Sequence, residues 1–123
     1  MTSETEKATN QRVLLLEDEY FIADDMARAL TASGVEVVGP VATVGAAMEL
    51  IARSDRLDGA VLDINLRGET VYPVAEALEA RGVPFIFATG YDEATIPPRF
   101  AGVRRCEKPV DPGRVAKALF RSA

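Results

Sequence analysis

The chain has 123 residues, 48% of them hydrophobic and 27% charged, and it carries a net charge of −5. This length fits one compact domain, and the acidic balance argues against unspecific binding to nucleic acid. The absence of histidine excludes histidine-based acid–base catalysis and zinc sites that need imidazole. The single cysteine, Cys106, cannot form an intrachain disulfide and favours a reducing compartment, so we expect a cytoplasmic protein.

The beginning of the chain is polar and differs from the rest. Residues 1–11 contain no apolar stretch that would suit a signal peptide or a membrane span, so they are predicted to be a disordered tail. Residues 12–123 contain no repeat, linker or low-complexity segment. They are therefore predicted to form one domain that has no contact with a membrane.

The first part of this domain alternates between strand and helix patterns. The apolar run at residues 13–16 is typical of a strand that is covered on both faces. Apolar residues spaced by four predict a helix over residues 22–30, which Gly34 ends. Residues 35–41 predict an edge strand, because Pro40 cannot donate a hydrogen bond to a neighbouring strand.

The middle of the domain repeats this alternation. Thr43 can cap a second helix, and the predicted buried face of that helix consists of Val44, Ala47, Met48 and Ile51. Residues 58–62 predict a third strand. A third helix over residues 71–78 has Pro73 in its first turn and precedes a fourth strand at residues 84–88.

The last part contains the weakest pattern of the chain. Pro97 and Pro98 interrupt residues 92–102, so a fourth helix there is predicted to be short or irregular. A fifth strand at residues 103–106 follows, and Asp111 can cap a final helix. Five strands alternating with about five helices predict an α/β fold with a parallel sheet and right-handed crossovers, in which ligands bind where the strands end.

Charged side chains follow three of the predicted strands. Glu17 and Asp18 come directly after the first strand, Asp63 after the third and Lys108 after the fifth. In a parallel sheet these charges converge at one edge. Three carboxylates that meet in one place repel one another unless a cation binds there. The pattern therefore indicates a metal-dependent phosphate site.

The ordered set of motifs resembles the receiver domain of two-component response regulators. It comprises the acidic pair after the first strand, Asp63 after the third, Thr89 after the fourth and Lys108 with Pro109 after the fifth. The resemblance covers residues 12–123. It implies a doubly wound, flavodoxin-like sheet of five parallel strands in the order 2-1-3-4-5.

The resemblance also implies roles for the acidic residues. Asp63 would be the phosphoacceptor, and the product would be an aspartyl phosphate. The implied cofactor is Mg²⁺, held by Glu17, Asp18, Asp63 and the main-chain carbonyl of Asn65, because this ion prefers oxygen ligands. Glu17 could act through a water molecule.

Other residues would contact the phosphoryl group by the same likeness. Lys108 and Thr89 would each bind a phosphoryl oxygen, and Gly90 and Asn65 would lie beside the group. Lys108 and Pro109 match a position at which receivers often have a cis peptide bond. The implied partner is a sensor histidine kinase or a histidine phosphotransfer protein, and the output is a switched protein contact on the side of residues 92–102. The downstream protein stays open, as does a role as a phosphate sink.

The chain departs from the receiver pattern at two positions. Arg105 stands where receivers commonly have an aromatic residue, and Arg67 where a proline is common; neither change is expected to touch the phosphate chemistry. Residues 87–91 are similar to the FATGUY-type subgroup of alphaproteobacterial single-domain receivers. We therefore predict that Tyr91 joins Thr89 in the switch, in place of the aromatic residue missing at Arg105.

Three alternatives remain open at this stage. Asp63 could merely cap the helix after its strand. A small phosphohydrolase resembling the haloacid dehalogenase family would need a second aspartate where Asn65 stands, so turnover as an enzyme is not expected. A pseudo-receiver would bind partners without being phosphorylated.

Overall fold

A computed structural model of the chain describes residues 11–90 and 96–120. Within these ranges, strands and α-helices alternate as predicted. The elements are β1 (Arg12–Leu16), α1 (Tyr20–Ala32), β2 (Glu36–Val41), α2 (Val44–Arg53), β3 (Gly59–Asp63), α3 (Tyr72–Ala80), β4 (Phe85–Thr89), β5 (Arg105–Glu107) and α4 (Pro112–Phe120). The predicted disordered tail lies almost wholly outside the described residues.

The five strands form one parallel sheet in the order β2-β1-β3-β4-β5. The predicted α/β fold and strand order are thereby confirmed. β1 and β3 are neighbours in the middle of the sheet, and Leu16 pairs with Leu62 near their carboxyl ends. The residues that follow these two strands consequently emerge side by side.

Helices cover both faces of the sheet, which is why β1 is apolar without a break. Leu14 and Leu16 pack on one side, in a core with α2 and α3. Val13 and Leu15 pack on the other side, in a second core with α1 and α4. Side chains alternate between the faces of a strand, so a run of apolar residues is needed where both faces are buried.

Two predicted helix caps are present. The hydroxyl of Thr43 accepts a hydrogen bond from the main-chain N–H of Ala46 at 3.1 Å, and the carboxylate of Asp111 accepts one from Arg114 at 3.0 Å. The prediction that Met48 lies on the buried face of α2 is wrong, because its side chain is 38% exposed. Ala47, which was predicted on the same face, is buried. Met48 is turned away from it, because adjacent residues differ by about 100° around a helix axis.

The described part of the segment between β4 and β5, residues 96–104, is irregular, as its prolines predict. In residues 96–104 the regular structure is a single 3-10 turn, Pro98–Phe100. Phe100 is buried and stacks on Tyr72 of α3 with ring centroids 5.5 Å apart, and the guanidinium of Arg99 lies 2.9 Å from the carboxylate of Glu76. The turn is thus held against α3. No helix in the described part of the chain is long and apolar enough to cross a membrane.

We predict that Gly59→Ala lowers the free energy of unfolding by about 1–3 kcal/mol, because overfilled cores force neighbours apart. A Cβ atom at Gly59 would lie 2.8 Å from Cδ1 of Leu119, where α4 crosses β3. The matched control is Gly45→Ala in α2, where a Cβ atom meets no atom of the described residues within 4 Å and a small gain in stability is expected. Urea unfolding measures both, and a Gly59 variant as stable as the Gly45 variant would contradict the close packing.

Candidate functional site

Three carboxylates meet at the carboxyl edge of the sheet. Glu17 follows β1 directly, Asp18 comes next, and Asp63 is the last residue of β3. Each residue offers an oxygen, and these oxygens all lie within 4.8 Å of one another. Glu17 is 2% exposed and Asp63 is 1% exposed, whereas Asp18 is only partly buried. The predicted convergence is therefore present, and Asp18 forms its opening towards solvent.

The side chain of Lys108 reaches this cluster from the far side of β4. Its Nζ atom lies 2.7 Å from Oε1 of Glu17 and 3.3 Å from Oδ1 of Asp63. The main-chain N–H of Lys108 donates to the carbonyl oxygen of Thr89 at 2.8 Å, which ties the start of the side chain to the end of β4. The peptide bond between Lys108 and Pro109 is cis, as the resemblance implied.

Burial determines the protonation behaviour of this group. Burial raises the pKa of the Glu17 carboxyl, although the contacts with Lys108 and with the N–H of Glu19 act in the opposite direction. Burial by itself would lower the pKa of Lys108, but its contact with Glu17 and the charge of Asp63 outweigh this and leave the pKa raised. Lys108 is therefore a fixed cation at neutral pH. A fully ionised cluster retains more negative than positive charge.

Asp63 is held by main-chain groups that leave one of its oxygens open. The N–H of Asn65 donates to Oδ1 of Asp63 at 2.9 Å, and the N–H of Ile64 donates to the carbonyl of Ala88 at 3.1 Å. Among the described residues no hydrogen bond reaches Oδ2. The alternative that Asp63 caps a helix is wrong, since α3 begins only at Tyr72 and its N-cap is Val71.

The other predicted site residues differ in how close they come to Asp63. Thr89 ends β4 one residue after Ala88, which pairs with Asp63, and it is buried. Gly90 follows it, and a Cβ atom there would meet no atom of residues 11–90 and 96–120 within 4 Å. Arg105 is exposed and begins β5 beside Phe87, two positions before the level of Thr89. Tyr91 lies outside the described residues.

The structure brings Arg67, which the sequence did not predict as a site residue, to the edge of the acidic cluster. The main-chain N–H of Arg67 donates to Oδ2 of Asp18 at 2.9 Å, and its Nε atom lies 3.7 Å from the same oxygen. Its Nη2 atom lies 3.6 Å from Oε2 of Glu19. Local sequence pattern carries no signal for this contact, because the contact depends on the path of the loop after β3.

The cluster fits a hard divalent cation. Oε1 of Glu17 is buried and makes no hydrogen bond of regular angle with the residues that the structure describes, so its contact with Lys108 is an ion pair in which lone pairs of this oxygen stay available. Carboxylate oxygens are the ligands that Mg²⁺ takes, and the exposed side of Asp18 leaves room for the waters that this ion retains. The residues present therefore suit the metal that the resemblance implied.

Comparisons with solved structures agree with this geometry. The solution structure of SdrG from Sphingomonas melonis has a TM-score of 0.77 and 40% identity, over 90% of this chain and 94% of that one. The solution structure of the BeF3-activated conformation of SdrG from Pseudomonas melonis has a TM-score of 0.71 and 38% identity, over 97% and 96% of the two chains. A response regulator receiver protein from Sinorhizobium medicae shares the fold with a TM-score of 0.72, at 24% identity over 89% and 91%.

The chain belongs to the family of response regulator receiver domains. This follows from identities near 40% across almost the full length of similar chains, together with the five-stranded order and the acidic edge of the sheet. No protein-family model and no curated protein matches the chain.

The raised pKa of Glu17 generates a pH prediction for the protein in EDTA. A carboxyl whose pKa is higher in the folded than in the unfolded protein stabilises the fold fully at pH values below its unfolded pKa, here 4.5. This stabilisation is lost as pH rises through the folded pKa. Glu17→Gln is neutral at every pH and avoids this loss. The unfolding free energy of the variant relative to wild type should therefore increase between pH 4 and pH 7.

Urea unfolding across this pH range provides the measurement. Glu49→Gln, which removes an exposed carboxylate from α2, is the matched control and should follow wild type throughout. A constant difference between Glu17→Gln and wild type would contradict the burial of an uncompensated charge.

Proposed function

We propose that this chain accepts a phosphoryl group on Asp63 in a Mg²⁺-dependent reaction. The donor would be the phosphohistidine of a sensor histidine kinase or of a histidine phosphotransfer protein. The observation that supports this most directly is the buried Asp63 carboxylate, which lies 3.3 Å from the Lys108 ammonium and within the cluster of three carboxylates. If Lys108 only stabilised the fold, a single carboxylate would be enough to pair with it. The cluster instead has three carboxylates.

The proposed transfer is a displacement at phosphorus. Oδ2 of Asp63, which has no hydrogen-bond partner among the described residues, forms the new O–P bond. The P–N bond of the phosphohistidine breaks, its electron pair stays on the imidazole nitrogen, and that nitrogen takes up a proton from water. Neither oxidation nor reduction occurs, and the products are an aspartyl phosphate and a neutral histidine.

The acidic residues around Asp63 would bind the metal ion, and Lys108 and Thr89 would bind the phosphoryl group. Glu17, Asp18, Asp63 and the carbonyl of Asn65 would hold Mg²⁺, which supplies neutralisation of the phosphoryl charge when bound. Lys108 would exchange its contact with Asp63 for a phosphoryl oxygen, while the hydrogen bond from its main chain to Thr89 keeps the start of the side chain in place. The Thr89 hydroxyl would donate to a further phosphoryl oxygen, and the main-chain N–H of Gly90 could approach the group closely because glycine has no side chain.

SdrG supports the proposal because it has a BeF3-activated conformation, and beryllofluoride mimics a phosphoryl group on a carboxylate. The similar chain thus takes up the mimic that an acceptor aspartate would bind. Asn65 stands where a phosphohydrolase needs its second acid, so the proposed activity is acceptance, with at most slow loss of the group to water. The lone buried Cys106 is compatible with the cytoplasm as the setting.

The proposed output is a changed protein contact near residues 96–102. Thr89 ends the strand that leads into this segment, and the 3-10 turn beyond it is held to α3 by the stack of Phe100 on Tyr72. A shift of Thr89 towards a phosphoryl oxygen would bias this two-state element. Tyr91 and Arg105 remain the proposed further parts of the switch, and membership of the FATGUY-type subgroup remains a proposal.

Intact-mass spectrometry tests the acceptor directly. With Mg²⁺ and phosphoramidate, a small donor with a P–N bond, the wild-type chain should gain the mass of one phosphoryl group, and EDTA should prevent the gain. Asp63→Asn should gain nothing, because an amide oxygen is a poor nucleophile. The matched control Asp55→Asn changes an exposed aspartate and should behave as wild type. A folded wild-type chain that gains no mass would favour the pseudo-receiver instead.

A further inference from the structure

Arg67 is held at the mouth of the acidic cluster by a loop that is fixed on both sides. Ile64 and Leu66 anchor the loop between β3 and α3 with buried side chains, and Gly68 turns it with a φ of 75°. A positive φ suits glycine because glycine lacks a Cβ atom. The side chain of Arg67 is 74% exposed, yet it is directed to the two carboxylates at the mouth, those of Asp18 and Glu19.

Two cations divide the acidic residues between them. Lys108 contacts the buried pair, Glu17 and Asp63. Arg67 contacts the outer pair, Asp18 and Glu19. Of the three carboxylates in the cluster, only Asp18 is partly exposed, so a metal ion that enters from solvent reaches Asp18 first. The guanidinium already occupies part of this approach.

We propose that Arg67 is a built-in counter-cation that sets the affinity of the site for Mg²⁺. Its guanidinium competes with the metal for the charge of Asp18, while its main-chain N–H keeps that carboxylate in place. The proposal rests on the proposed metal-dependent function and assigns a role to a residue outside the ligand set.

The two contacts that Arg67 makes with Asp18 both fall on Oδ2, which explains how positioning and competition can coexist. The hydrogen bond of 2.9 Å comes from the main chain, so any residue other than proline at position 67 can make it. The 3.7 Å contact comes from Nε and is lost when the guanidinium is removed. A substitution that keeps the N–H therefore isolates the charge.

The exposure of the Arg67 side chain sets the expected size of its effect on the affinity for Mg²⁺. A unit charge a few ångströms from a divalent ion, screened by water and salt, changes the binding constant about three- to tenfold. Arg67→Gln should therefore bind Mg²⁺ about three- to tenfold more tightly than wild type at low salt. The ratio should shrink towards one in 0.5 M salt, where exposed charges are screened within about 4 Å. A role in packing would show no such dependence on salt.

Calorimetric titration of the full chain with MgCl₂ at the two salt concentrations tests this. Arg67→Lys keeps the charge and should stay near wild type. Arg28→Gln is the matched control, because Arg28 is 77% exposed and paired with Asp24 within α1, so the same charge is lost. Arg28 lies ten residues beyond Asp18, which corresponds to about 15 Å along a helix and exceeds the screening length of about 10 Å in 0.1 M salt, the lower of the two concentrations. The affinity of the Arg28→Gln variant for Mg²⁺ should equal that of wild type.

The outcomes separate this inference from the proposed function. Equal or weaker Mg²⁺ binding by Arg67→Gln, with the circular dichroism of wild type, overturns the role of Arg67 and leaves the acceptor site standing. The same gain in Arg67→Gln and Arg28→Gln also overturns it, because net charge would then be the cause. A wild-type chain that binds no Mg²⁺ at millimolar concentration overturns both proposals.

Discussion

The balance of charge at the carboxyl edge of the sheet is the constraint on which the rest of this structure depends. Glu17 and Asp63 are almost fully buried, and Lys108 is the cation that contacts both. Burying a carboxylate is costly unless it is paired, and burial raises the pKa of Glu17 although its contact with Lys108 acts in the opposite direction. Under the proposed function, a divalent cation would offset this excess negative charge, and the site would respond to a metal and to a transferred anion.

The fold brings these charges together through strand order. β1 and β3 are adjacent in the middle of the sheet, so the residues after them face each other although more than forty positions separate them in the chain. β4 lies between β3 and β5, and the long side chain of Lys108 spans it. Helices on both faces fix the strands from either side, so the charged groups project from a rigid base. A rigid base favours chemistry that depends on preorganised charge.

Much of this arrangement could be predicted from the sequence, and the failures have physical causes. The strands and the convergence of Asp63 with Glu17 followed from apolar runs, because buried parallel strands have that pattern wherever they occur. Met48 was misplaced, because periodicity defines a stripe on a helix but not which edge of the stripe meets the sheet. Arg67 was missed, because its contact with Asp18 depends on the path of a loop, which local pattern does not encode. Tyr91 and the start of the irregular segment lie outside the described residues.

The most direct test of the central claim is an NMR titration of the isotope-labelled chain with Mg²⁺, with beryllofluoride and with both. If a cation and an anion complete the charge balance around Asp63, large shifts at the amides of Asn65, Gly90 and Lys108 should require both additions together. They should saturate at one equivalent of the complex per chain and be absent in Asp63→Asn. Equal shifts in Asp63→Asn, or none in the wild-type chain with both additions, would contradict the account.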